Sequence, residues 1–187
     1  MPPKVRITKK EIVDGALEIA RKNGENAINA RTIAAYLNCS TQPIFSNFAS
    51  MAELQELVLL AAYDVYFEFL KNEAENTDIP RYKAYGMAYI RFAKQEKELF
   101  ELLFMRDRKG AEFTSTPDFE ESVEIIMKAN GISREKARLM HLEMWSCVHG
   151  IASMIATSFV SFDWELISAM LTDIYQGLRQ RHLTEET

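Results

Sequence analysis

Helix start and stop signals punctuate this chain from end to end, while signals that turn strands are scarce. Thr8-Lys9-Lys10-Glu11 has the form of a capping box, with Ile7 and Ile12 at the positions of a hydrophobic staple around it. Gly24, Asn29, Ser40, a second box at Ser50–Glu53, Pro80, Thr116-Pro117, Gly131, Ser133 and Asp163 then follow as alternating caps and stops. Seven Gly and five Pro in 187 residues leave little material for hairpins, so the chain is expected to be all α, with about nine helices.

Hydrophobic residues at 48% with 26% charged residues are ordinary for a globular protein and exclude a disordered one. The start, MPPKVRITKKEIV, lacks the apolar core of a secretory signal. The most apolar stretch, 145–162, holds Ser146, His149, Gly150, Ser153, Thr157 and Ser158, too polar for a membrane span. A cytoplasmic location without membrane contact is expected. Cys39 and Cys147 fall in different modules and are expected to be reduced. The net charge of −5 hides a gradient: residues 1–50 carry seven Lys/Arg against four Asp/Glu, and the rest carry 15 against 23. A basic head on an acidic body suits a chain that meets a polyanion at one end.

That head reads as three short helices. Ile12, Ala16, Ile19 and Ala20 line one face of the first, and Ile33, Ala34 and Leu37 face inward from the second. Asn38-Cys39-Ser40 is a tight turn in which Asn38 tolerates positive φ and Ser40 caps the third helix. Thr41, Gln42 and Pro43 form that helix's first turn, and Ile44, Phe45 and Phe48 its apolar side. A fourth helix runs from Ser50 to about Asn72. A helix pair joined by such a turn is a helix-turn-helix unit. Its outward residues, Thr41 and Gln42, can reach base edges in a major groove. Arg31, Ser40 and Asn47 are candidates for phosphate contact, with Lys9, Lys10 and Arg6 behind them, and Phe45 is counted with them among the DNA-binding residues.

The stretch from Thr8 to Leu54 resembles the DNA-binding domain of the TetR family of transcriptional regulators. Ile33-Ala34, Asn38-Cys39-Ser40, Ile44-Phe45, Phe48, Ser50 and Leu54 keep that family's spacing without gaps. Four positions depart from its pattern: Asn38 for the turn glycine, Cys39 for valine, Met51 for a lysine at the backbone contact, and Phe45 for a tyrosine that commonly bonds a phosphate. The last loses about 1 kcal/mol of contact per site, and Met51 removes one phosphate-neutralising charge. These changes bear on DNA affinity more than on fold.

Beyond the head, Tyr82, Tyr85, Tyr89 and Phe92 form an aromatic stripe on a fifth helix. Trp145, His149 and Gly150 have the W-x-x-x-H-G spacing of one group of TetR-family C-terminal domains, a second resemblance. His141, Trp145 and His149 share a helical face; no Cys or carboxylate pairs with them, so no metal is expected. Tyr85, Tyr89, Phe100, Phe104, Met140, Met144, Trp145 and His149 either line an effector pocket or fill a core. The last two helices carry Ile151, Ile155, Trp164, Ile167, Leu171, Ile174 and Leu178, which suit a four-helix dimer interface or intramolecular packing. No phosphate loop, strand-borne nucleophile or paired-acid motif points to an enzyme, and no cofactor is expected.

The resemblance implies a homodimeric one-component regulator, in its usual form a repressor. Residues 1–49 would bind a palindromic operator in double-stranded DNA, and residues 50–187 would hold a small apolar or amphipathic effector and the dimer interface. A protein-binding helical adaptor, or a ligand carrier whose helix-turn-helix has lost DNA, is the alternative.

Overall fold

A computed structural model describes residues 7–75, 77–107 and 117–184. Among these residues the chain is all α: α1 (Lys9–Asn23), a 3-10 turn (Glu25–Ala27), α2 (Ala30–Tyr36), α3 (Gln42–Asn47), α4 (Met51–Glu75), α5 (Arg81–Gln95), α6 (Lys97–Phe104), α7 (Pro117–Asn130), α8 (Arg134–Ala156) and α9 (Trp164–Thr184). They divide into two compact units. The first takes Met1–Glu68 and Glu96–Arg106; the second takes Phe69–Gln95 and Asp107–Thr187. Thr116 and Arg6, named above as a cap and a phosphate candidate, lie outside the described residues.

The first unit is built on the capping expected of its sequence. The Thr8 hydroxyl accepts from the Glu11 amide at 3.2 Å, and the Glu11 carboxylate accepts from the Thr8 amide at 2.7 Å. The Thr8 amide, and the Thr8 hydroxyl donating to the same carboxylate at 2.7 Å, hold the Glu11 carboxyl below its usual range. Ile12, Ala16, Ile19, Ala20, Ile28, Ile33, Ala34, Ile44, Phe48, Leu54 and Val58 are buried. Each large aliphatic among them contributes about 1.5–3 kcal/mol relative to exposure. α6 belongs to this unit. Arg21 at the end of α1 grips the carboxylate of Glu96 with two guanidinium nitrogens, one at 2.7 Å.

Three expectations for this unit need correction. α3 begins at Gln42, and its N-cap is Thr41, not Ser40; Thr41 is already α-helical (φ −73, ψ −13) and makes no side-chain cap bond. Phe45, expected on the apolar side, is 64% exposed, while Ile44 beside it is 1% exposed. The box at Ser50 is half formed. The Ser50 hydroxyl accepts from the Glu53 amide at 3.2 Å, but the Glu53 carboxylate passes over Ser50 to the Ala49 amide at 2.8 Å.

Gly24 closes α1 with φ 79 and ψ 169, a region open to glycine alone. A Cβ there would come within 2.8 Å of Glu98 Oε2, a flexible group that can swing aside. Gly24→Ala is therefore expected to lower stability by about 1–3 kcal/mol through the backbone alone. Urea unfolding of the two proteins measures it.

In the second unit α5, α7, α8 and α9 enclose a core of Phe119, Val123, Ile126, Ile132, Ala137 and Met140, flanked by Tyr82, Leu142, Tyr175 and Leu178. Gly131 ends α7 with φ 66, Ser133 caps α8 by accepting from the Lys136 amide at 3.3 Å, and Asp163 accepts from the Leu166 amide at 2.7 Å to open α9. α8 ends in a Schellman turn through Ser158, with Ser158 N–H bonding Ile155 O and Phe159 N–H bonding Met154 O. Ser158 takes φ 56 there without being glycine.

Candidate nucleic-acid interface

The turn between α2 and α3 is a complete Schellman motif. Asn38 occupies the left-handed position (φ 51), its N–H bonds Ala35 O at 3.2 Å, and the Cys39 N–H bonds Ala34 O at 2.9 Å. Asn is among the few residues that enter this conformation at modest cost. At the other end of α2, the Asn29 carboxamide oxygen accepts from the Arg31 and Thr32 amides, both at 3.1 Å. Buried Ile33, Ala34 and Ile44 anchor α2 and α3 from the inside. Gln42, Phe45 and Ser46 face outward on α3, and Thr41 is half-buried at its start.

The cations around this surface differ in availability. Lys9 is committed within the unit. Its ammonium lies 2.6 Å from Glu53 and 4.9 Å from the Phe48 ring centroid. The Lys9 pair and the Ala49 amide together hold the Glu53 carboxyl below its usual range. Lys10 pairs with Asp14 at 2.6 Å. Arg31 is exposed, and no ion pair engages it among the described residues. Asn47 turns back: its amide donates to Pro43 O at 2.7 Å, which commits that donor to the end of α3. Lys9 and Asn47 are thus braces around α3, and Arg31 and exposed Ser40 keep free groups.

The second unit separates the other candidates. Tyr82 O–H lies 2.8 Å from His141 Nδ1, and the Phe119 ring meets His141 edge-on at 4.8 Å. Tyr89 O–H lies 2.9 Å from His149 Nδ1; His149 Nε2 is 3.3 Å from the Ser153 hydroxyl, and its ring stacks on Trp145 at 4.7 Å. Two Tyr–His pairs thus tie α5 to α8. Met140 is fully buried in the core, Tyr89 and Met144 nearly so. Tyr85, Trp145 and His149 keep partly open surface. Tyr85 also bonds Arg81 and Glu121 at 2.8 and 3.1 Å. Phe100 and Phe104 belong to the first unit, where Phe104 meets Tyr66 edge-on at 5.0 Å. Ile151, Ile167 and Leu171 are buried in the second unit's own core. Trp164 lies under Arg91 and Lys94, and Leu178 packs on the Phe119 cluster. Ile155 and Ile174 are half-buried.

Among the described residues no group of three or more His, Cys, Asp or Glu side chains could hold a metal ion. No described helix is long and apolar enough to cross a membrane. Residues 82–174 match the family model of the tetracyclin repressor-like C-terminal domain. The fold is TetR-like. Two solved structures carry the likeness through the fold. A protein of unknown function from Rhodococcus sp. RHA1 superposes with a TM-score of 0.74 at 19% identity, covering 96% of this chain and 100% of that one. A TetR-like transcriptional regulator from the same organism gives 0.64 at 15%, covering 98% of each. At these identities the likeness is one of fold. No curated protein matches by sequence.

Both Tyr–His pairs fall inside the matched region of the TetR-like domain. Burial pushes His141 down to about 4 from 6.5, pushes His149 down, and pushes the Tyr82 hydroxyl up. The folded form holds His141 neutral, so its share of stability is complete above pH 6.5 and is lost as pH falls toward 4. The loss is expected to reach up to about 3 kcal/mol, with His149 adding in the same direction. Urea unfolding at pH 7 and pH 4.5 measures it. His141→Gln, which keeps a partner for Tyr82, should flatten the pH dependence; an unchanged slope would remove His141 as its source.

Proposed function

We propose that this TetR-like chain is a one-component transcriptional repressor that acts in the cytoplasm as a homodimer. In this reading residues 1–49 bind a palindromic operator, and residues 50–187 carry the effector and dimer functions. The outward α3 surface carries the proposal: Gln42 stands free beside Thr41 on a short helix braced at both ends. Gln pairs bidentately with adenine in the major groove. Arg31 and Ser40 supply phosphate contacts that fix the register.

The dimer forms through the outward faces of α8 and α9. Leu139, Ser146 and Gly150 recur at helical spacing on α8, and Leu166, Ala169 and Gly177 on α9. Leu139 and Leu166 are about half exposed, and a Cβ at Gly150 or Gly177 would meet nothing within 4 Å. A small apolar or amphipathic effector binds in the second unit beside Tyr85, Trp145 and His149. α4 contributes residues to both units and conveys the effect. Release from DNA is then a population shift, driven by unequal effector affinity for two dimer forms.

Fluorescence anisotropy of the dimer on duplexes tiled from its own upstream region, at two salt concentrations, tests the proposal. One tile should bind tightly, lose affinity with salt and outcompete its shuffled sequence. Arg31→Ala should weaken specific and shuffled duplexes alike and reduce the log–log salt slope by about 1 per subunit. Weak binding to every tile, without salt dependence, would instead support the adaptor reading.

A further inference from the structure

Phe45 is the most exposed large hydrophobic side chain among the described residues of the head. Its ring is 64% exposed, and no hydrogen bond, ion pair or ring contact engages it among the described residues. Ile44 next to it already fills the inward position at 1% exposure. Phe45 stands three residues after Gln42 and four after Thr41, so all three share one face of α3. An apolar ring on a face otherwise polar cannot bond a phosphate, because it has neither donor nor acceptor. In the major groove the apolar feature of a base pair is the C5 methyl group of thymine.

We propose that Phe45 is a specificity-determining residue that reads the 5-methyl group of a thymine in each operator half-site. The inference rests on the DNA-binding reading above. Residues three apart on a helix have Cβ atoms about 5–6 Å apart, and successive bases rise by about 3.4 Å. The thymine therefore lies one or two base pairs from the adenine read by Gln42. A base contact at this position would serve sequence discrimination, because phosphate contacts carry no sequence information.

The test starts from an operator selected from random duplexes by the full-length protein. Each thymine of a half-site is replaced in turn by deoxyuridine, which removes the methyl group and leaves base pairing intact. Anisotropy should show one position that weakens wild-type binding about fourfold, the loss expected for one buried methyl group. Substituting both half-sites should give about fifteenfold. Phe45→Ala, whose exposed site leaves the helical circular dichroism unchanged, should bind the thymine operator with a similar loss and ignore the uracil. Phe45→Leu should retain part of the sensitivity. Tight wild-type binding with no effect of any uracil, or full uracil sensitivity in Phe45→Ala, overturns the proposal while leaving DNA binding intact. Failure to enrich any duplex overturns both.

Discussion

Gln42→Ala lowers operator affinity by about 1–3 kcal/mol per half-site, the worth of a good bidentate base contact. With two subunits on a palindrome the loss roughly doubles, reaching several orders of magnitude in Kd at the upper end. The side chain is exposed, and no hydrogen bond engages it among the described residues, so its removal takes away a reading group and no support. The selectivity between operator and shuffled duplex should therefore collapse, while non-specific binding and the salt slope stay as they were. Competition anisotropy separates these quantities. A variant with unchanged selectivity would show that α3 does not read bases through Gln42.

Phe119→Ala unfolds the second unit more readily by about 3–5 kcal/mol, the usual cost of emptying a buried aromatic site. Phe119 is 1% exposed and central to the cluster of Val123, Ile126, Ile132, Ala137 and Met140. Its ring also meets the edge of His141, and Arg138 lies over it at 5.0 Å. Truncation opens a cavity beside a histidine held neutral by burial. Water reaching that ring should raise its affinity for protons toward that of the unfolded chain and so flatten the loss of stability on acidification. Urea unfolding at pH 7, followed by Trp145 and Trp164 fluorescence, measures the cost. A loss below about 1 kcal/mol would mean that the site collapses around the missing ring.

The local grammar of the helices was legible in the sequence because capping is local physics. Thr8, Asn29, Asn38, Gly131, Ser133 and Asp163 each perform at the place the sequence suggests, since each acts on amides or carbonyls a few residues away. Contacts over longer distances were not legible. Glu53 has two uses, the Ala49 amide and Lys9, and the second lies 44 residues upstream. Asn47 has a carboxamide suited to a phosphate, and nothing in its neighbours shows that Pro43 O claims it first.

The apolar residues of α8 and α9 posed a different difficulty. Ile151, Ile167 and Leu171 repeat at the same helical spacing as residues facing outward, so the pattern marks more than one apolar face without saying which is interior. Leu139 and Leu166, the more exposed pair, carry no sequence signal that sets them apart from their neighbours. The placing of Phe45 on the apolar side of α3 failed for a related reason: with Ile44 and Phe48 nearby it looked like core, but a six-residue helix has room for few inward positions.

The membership of α6 in the first unit affects how the protein is made. Arg21 and its partner Glu96 lie 75 residues apart in sequence. A ribosome that has released α1–α4 has delivered α3 but leaves Arg21 with only Glu18 of its own helix as an ion-pair partner. Until α5 and the start of α6 emerge, Arg21 has no Glu96, and the nascent first unit waits for a segment that follows α5 in the chain. A gene fragment ending at residue 75 would encode α3 without the brace that the finished first unit uses, and grafting this unit onto another protein would require carrying α6 along as a separate segment.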